Sequence, residues 1–429
     1  MEDKSVNKKV LQVAIIGMGG RGAEAYGYYM HDHKEMFNIS AICDINDYRL
    51  EKWGKIFDIP TEHRFNSEDE FWKEKRGDVC FVTTQDRQHV EMAIKALRLG
   101  YNVVCEKPIS DDVMELRRLS EEAKKANRLV MICHVLRYNV SYLKLKEILD
   151  SGVIGQVVSI DHTENVVYWH EAHSFVRGNW RNREQSTPMI MAKCCHDLDL
   201  LQYFANSKCK SVSSIGSLTY FKAENKPVDA ADRCCNCKLK DKCPYSAYYV
   251  YLDMWKNCGR KDIWPFTLIT DALPLSEEAL IEAIEKSPYG RCVFACDNNV
   301  VDHQQVLLNF ENGITATLSM QAFVKDGGRT IRFYGTLGEL CLYEDRNIIE
   351  LKPFRGEYKC FKLDELTDDR VGHGGGDHRL LDKVYDVFAN GNPDATTALD
   401  KSIESHLMAL AAEDSRLEGG VVKYIKDYR

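Results

Sequence analysis

Between Met189 and Leu201 the chain reads MIMAKCCHDLDLL, which crowds a lysine, two cysteines, a histidine and two aspartates together. Such residues serve metal ligation through Cys and His, or proton transfer through His near neutral pH. They also occur with no chemistry at all, when a histidine is simply satisfied inside a core. Free cysteine behaves as a small buried hydrophobe, so Cys194 and Cys195 are expected to pack. On a helix Lys193 and His196, three residues apart, share a face, while Asp197 and Asp199 point elsewhere. A second basic centre is Lys107, which follows an apolar run and precedes Pro108. The proline ends the ladder and fixes the turn, so this lysine could donate to an oxygen on which negative charge develops; alone it would more often be a solvated loop lysine. A third cluster is Cys234-x-x-Cys237 with Cys243. The knuckle spacing can bring two thiolates onto one structural zinc with Cys243 as a third ligand, the fourth being open among Cys258, Cys292 and Cys296. Otherwise these are reduced thiols.

The elements that must position these groups begin with a strand, Val10 to Ile16, which runs into Gly17-x-Gly19-x-x-Gly22 and then an amphipathic helix. A second strand, ISAICDI, carries Asp44 near its end. This is the order of a dinucleotide-binding Rossmann unit: the glycines let the backbone approach a pyrophosphate at a helix N-terminus, and the acid accepts ribose hydroxyls. An acid here repels a 2′-phosphate, which favours NAD over NADP. The bland alternative is a tight turn followed by an aspartate that caps the next helix. Strands and helices go on alternating through DVCFVTT, RQHVEMAIKALRLG, YNVVCEKP and RLVMICH. That predicts a doubly wound sheet with its ligand at the carboxyl ends of the strands. Thr83, Thr84, Glu106, Lys107 and His134 fall at those ends, and Met18 and His89 join the cofactor-binding candidates.

At 429 residues, 44% hydrophobic and 28% charged, the chain suits two soluble domains. The net charge of -8 argues against a nucleic-acid partner. A polar lead of ten residues followed by a short apolar run predicts no secretory signal, and no run is long enough to span a bilayer. The 16 cysteines are therefore read in a reducing cytoplasm.

Through GMGGRG, VTTQDRQHVEMAIKALRLGYNVVCEKPI and CCHDLDLLQYF, the sequence closely resembles the Gfo/Idh/MocA oxidoreductases. The resemblance covers the first two hundred residues well and the part after about Val300 in outline. It implies an N-terminal Rossmann domain, residues 1–135, and a C-terminal α/β domain, residues 136–429, with a large, mostly antiparallel open sheet. It implies a homodimer or homotetramer and NAD(P)-linked hydride transfer at a sugar or cyclitol carbon. Lys107 matches the family's catalytic lysine, with a Lys107-Pro108 bond that can be cis, and His196 matches its active-site histidine. Many members carry an aspartate four residues before that histidine. Here the position is Ala192, and Lys193 can replace part of the lost polarity. Arg137 and Tyr138 stand where the family commonly has a polar substrate-side pair.

In the second half, DHTENVVYWHEAHSFVRGNWRN packs Trp169, His170, His173, Arg177 and Trp180 into a loop after a strand. Aromatic faces and donors suit a sugar ring, or the loop uses its tryptophans as a small core. Residues 222–299 form a Cys-rich insertion outside the family outline. After it, short alternating runs with Asn-Gly and Gly turns predict an antiparallel sheet, with Asp302 and His303 at a strand start, either reaching the pocket or stabilising a turn. HGGGDHRLLDKVYDVFANG then offers His373 to a substrate, its glycines being hinge or close-approach positions. The reading is an NAD-dependent dehydrogenase of a sugar, glycoside or cyclitol, with His196 or Lys107 taking the hydroxyl proton and Lys107 stabilising the oxygen. Two alternatives share the fold: a glycosidase that oxidises its sugar transiently with bound NAD, and a sugar-sensing protein without catalysis.

Overall fold

The computed structural model describes residues 9–367 and 371–429, so the first eight residues of the polar lead lie outside the described residues. The strand after that lead, β1 (Leu11–Ile16), is almost wholly buried, as a strand covered on both faces must be. With β2 (Phe37–Cys43), β3 (Arg64–Phe65), β4 (Val79–Val82), β5 (Asn102–Cys105) and β6 (Val130–Ile132) it forms an all-parallel sheet of order β3-β2-β1-β4-β5-β6. The order reverses between β1 and β4, and the crevice outside the strand ends at that point is where this architecture binds ligands. The glycine turn, Thr83 and Lys107 all open onto it.

The second sheet is built from β7 (Val157–Val167), β8 (Cys209–Ser217), β9 (His303–Phe310), β10 (Thr315–Val324), β11 (Gly328–Gly335), β12 (Gly338–Tyr343), β13 (Ile348–Pro353), β14 (Lys359–Lys362) and β15 (Lys423–Tyr424). Its order is β14-β13-β12-β11-β7-β10-β9-β8-β15. Every pairing is antiparallel except β7 with β10. Helices Cys195–Ala205 and Leu399–Leu417 cover one face, burying Leu198, Leu201, Met408 and Ala412 against β8, β9 and β10.

The cores do not divide the chain at residue 135. Leu380, Leu381, Val384 and Tyr385, from the helix Val371–Phe388, lie in the core that covers β1 with Tyr26 and Phe37. Ala398 also bridges to Met131 at the end of the first sheet. A segment assigned by sequence to the second domain therefore closes the first one, and it brings His373 back to the crevice.

The insertion between β8 and β9 holds two small apolar clusters, one around Tyr251, Trp255 and Leu280, the other around Phe221, Tyr245 and Val293. Among the described residues no helix is long and apolar enough to cross a membrane.

Candidate active site

The three glycines of the first turn do different work. Gly17 has φ +96°, and a Cβ there would lie 2.5 Å from the Thr83 carbonyl oxygen. A Cβ on Gly22 would lie 2.1 Å from the Gly17 carbonyl oxygen. These two are required by packing. A Cβ on Gly19 meets nothing within 4 Å, so its space is open on the crevice side. The Thr83 hydroxyl donates to the Gly17 carbonyl at 2.7 Å and locks the turn to β4. Asp44 accepts from the Met18 amide at 2.7 Å and from the Asn46 amide at 2.9 Å. Asn46, not Asp44, caps the following helix, through the Arg49 amide. The acid is thus held against the glycine turn.

Arg21, inside the same turn, ties the crevice together. Its Nε donates to Glu106 at 2.7 Å, and its two terminal nitrogens reach Asp377 at 2.7 and 3.1 Å. Tyr26 donates a further bond to Glu106 at 2.6 Å. Burial alone would raise the Glu106 pKa, but Arg21, Lys107 and the Tyr26 hydrogen bond bring it below the usual carboxylate range. Asp377 behaves likewise: burial opposes ionisation, and Arg21 and His373 overcome it. His373, at φ +45°, places Nδ1 3.1 Å from Asp377. Around it the glycines are close-approach positions: a Cβ on Gly376 would lie 2.4 Å from the Val135 carbonyl oxygen. Sequence reasoning missed Arg21 and Asp377; an arginine within the glycine motif was the available signal.

The stretch that opened the question is two helices, not one. Met189–Ala192 ends at Lys193, and Cys195–Ala205 begins after Cys194. The break leaves the Ala192 carbonyl facing the crevice, where the Lys107 ammonium donates to it at 3.0 Å. The Lys107-Pro108 bond is cis. His196 sits beside this junction, 6% exposed, with its Nδ1 buried and without a hydrogen-bond partner. Burial first, then the charge of Lys107, presses its pKa well below the ordinary histidine value. The rings of His134 and His373 lie 6.0 and 5.9 Å from it. Cys194 and Cys195 are fully buried, and burial pushes the Cys195 thiol up to about 12.

Lys193 forms the opposite wall. Its ammonium lies 3.2 Å from Glu164, which also holds Arg329 at 2.6 Å. Arg329 in turn donates to Asp197 at 2.7 Å, and Asp197 binds His162 at the same distance. His170 is pressed well below its ordinary pKa by burial, Lys193, His173 and Lys107 in that order. It packs 4.8 Å from Trp264, and Trp169 packs 5.3 Å from the same indole. Trp264 comes from the insertion and was not anticipated, since nothing in its local sequence marks it.

Other candidates stand elsewhere. Arg137 is buried and bound at two points to Asp199, at 2.7 and 2.8 Å, and Tyr138 meets Thr397. Arg177 is 1% exposed and turned into the insertion, donating to the carbonyls of Arg291 and Tyr245. Trp180 donates to Asp86. These four side chains are engaged in holding elements together, as their internal partners show. His303 binds Asp302, whose other oxygen accepts from the Thr219 and Tyr220 amides, the turn-stabilising arrangement. His89 spans the loops after β4 and β5, its ring nitrogens 3.1 Å from the Thr84 carbonyl and 2.6 Å from that of Pro108. The Thr84 hydroxyl is buried and unpartnered. Among the described residues no group of three or more His, Cys, Asp or Glu side chains is placed to hold a metal ion.

Family models match nearly the whole chain. The oxidoreductase family's NAD-binding Rossmann fold matches residues 11–134, and its C-terminal alpha/beta domain matches residues 146–423. The protein YteT of Bacillus subtilis is 23% identical over 389 residues, 85% of this chain and 87% of that one. Inositol 2-dehydrogenase of Salmonella typhimurium is 27% identical over 204 residues, 47% of this chain and 56% of that enzyme. Levoglucosan dehydrogenase, solved with NADH and levoglucosan, superimposes with a TM-score of 0.70 at 14% identity, covering 97% of this chain and 100% of that one. With both halves matched, in the order and with the sheets described, the chain belongs to the Gfo/Idh/MocA family of NAD-binding oxidoreductases.

Proposed function

We propose that the protein is an NAD-dependent dehydrogenase acting on one CH-OH carbon of a sugar, glycoside or cyclitol. The observation that carries this reading is the junction of Lys107, the Ala192 carbonyl and His196 at the crevice of the parallel sheet. The nucleotide half fits NAD: Gly19 leaves room for a pyrophosphate, amides of the first helix face it, and Asp44 at the end of β2 disfavours a 2′-phosphate. Bound NAD supplies the hydride acceptor.

The chain's own residues supply the rest. Burial and Lys107 keep His196 neutral, so its imidazole can take the hydroxyl proton of a substrate. Lys107, already a donor to a carbonyl, turns the same ammonium to the developing alkoxide. Lys193 stands where a second hydroxyl can accept from it, oriented by Glu164. Trp169, His170 and Trp264 supply the apolar wall against which a sugar ring stacks.

The relatives named above, a dehydrogenase of inositol and one of levoglucosan, support this class. The sixteen free thiols accord with work in the reducing cytoplasm. Val158, Ile215 and Leu307 leave apolar side chains exposed on β7, β8 and β9, a surface suited to a second copy of the chain; sedimentation should show a dimer or tetramer, and a monomer would contradict that assignment. The test of function is nicotinamide reduction with a panel of sugars, glycosides and cyclitols, each offered NAD or NADP. Reduction of NAD by one chemical class supports the reading. Release of the aglycone with no change in NAD would replace it with redox-assisted glycoside cleavage.

A further inference from the structure

The insertion holds a second polar centre that the proposed reaction does not use. Cys234, Cys237, Cys243 and Cys292 line one cavity of about 210 Å³. They come from three separate pieces of chain, brought together by the isolated bridge between Arg233 and Arg291 and by the Cys292 amide, which donates to the Asp232 carbonyl at 2.8 Å. Cys234 and Cys237 flank a single tight turn, the Cys237 amide donating to the Cys234 carbonyl. That is the spacing with which a knuckle presents two thiolates to one ion.

One of these sulfurs, that of Cys234, already accepts from donors that favour negative charge on it. The Ala247 amide donates to the Cys234 sulfur at 3.4 Å, and the Arg177 guanidinium lies 3.8 Å from it. Arg177 lines the same cavity, is 1% exposed, and keeps its second terminal nitrogen buried with no partner. Its Nη1 donors are thus left over in a cavity whose other polar side chains are the thiols, Lys240, Lys242, Ser246, Tyr220 and Tyr245, with no carboxylate among them. A buried cation without a carboxylate is costly, and a four-thiolate zinc, net charge minus two, is the kind of anion that would offset it.

We propose that Cys234, Cys237, Cys243 and Cys292 bind one structural zinc ion. Each thiol releases its proton as its sulfur–zinc bond forms. The sulfurs do not yet converge; Cys237 and Cys243, half-buried on irregular chain, turn inward on binding. Cys292 is the fourth ligand because the rivals are engaged elsewhere: Cys258 donates to the Trp255 carbonyl in the other cluster, and Cys296 donates to the carbonyl of Cys292 itself. The ion staples the two ends of the insertion and, through Arg177, the loop that carries Trp169 and His170. It is independent of the proposed reaction.

The experiment is elemental analysis of the full-length wild-type protein after incubation with zinc sulfate and desalting, beside Cys237→Ser, Cys243→Ser and Cys258→Ser. The expected result is one zinc per chain in wild type and Cys258→Ser, and loss of at least nine-tenths, on the order of a tenfold fall or more, in the other two. Cobalt(II) added to the wild type alone guards against variants that fail to fold; the intense visible bands of tetrahedral cobalt thiolate are expected. Wild type without bound zinc, equal zinc in all four proteins, or a cobalt spectrum without thiolate bands would overturn the proposal. So would iron with labile sulfide in anaerobically purified protein.

Discussion

Lys107→Met should keep NAD binding and lower kcat by a factor on the order of 100 to 10,000, the span of a lost acid–base partner; cofactor titration and initial rates check both halves. His196 gives a sharper expectation because burial, and then Lys107, lead the causes that depress it. The neutral base persists below the ordinary histidine pKa, so kcat/KM should stay level from pH 7 to pH 6. Removing the Lys107 charge takes away one of these causes, so any acid limb of the residual activity should lie at higher pH in Lys107→Met than in the wild type, which pH–rate profiles of the two check. At this scale Lys107 and His196 were legible because a motif carried them. Arg21, Glu164 and Arg329 were not, because each acts through partners far off in sequence: Arg21 reaches Asp377 across 356 residues.

The glycine turn separates packing from binding within one element. Gly22→Ala forces a Cβ onto the Gly17 carbonyl and should destabilise the protein by about 1–3 kcal/mol. Gly19→Ala meets open space and should leave the melting temperature unchanged while weakening NAD binding; thermal melts and cofactor titration of the two variants distinguish them. The strand, turn and helix were readable because propensity, glycines and acid agree locally. The break at Lys193 was not. MIMAKCCHDLDLL contains neither Gly nor Pro, and the interruption accompanies a tertiary contact, the Lys107 ammonium on the Ala192 carbonyl. The same limit applies to Arg177 and Trp180. Their type fits a sugar site, but Arg177 faces the insertion and Trp180 faces Asp86, which spacing in one loop cannot reveal.

For the whole molecule, both sheets and their order of appearance followed from alternation, while the return of the helix Val371–Phe388 onto the first sheet did not. That return brings the exposed His373 ring to 5.9 Å from His196, which lies with His134 and His406 among the buried histidines. Buried histidines also bear on stability. Burial lowers His173 and His406 to about 3, against about 6.5 when unfolded. The unfolded chain therefore binds more protons, and stability is lost as pH falls from about 6.5 toward 3, by about 1.4 kcal/mol per pH unit for each group. Urea midpoints at pH 7.5 and pH 5.5 should show the fall, and equal midpoints would contradict it. The central claim, that Lys107 and His196 serve hydride transfer from a carbohydrate-type hydroxyl carbon to NAD, is tested most directly by a single turnover with a substrate deuterated at that carbon. Deuterated NADH formed by the wild type, with a slower rate than the protiated substrate, and formed by Lys107→Met slower by a factor on the order of 100 or more, is the predicted result. Deuterium lost to water with NAD unchanged, or a Lys107→Met rate equal to wild type, would contradict the account.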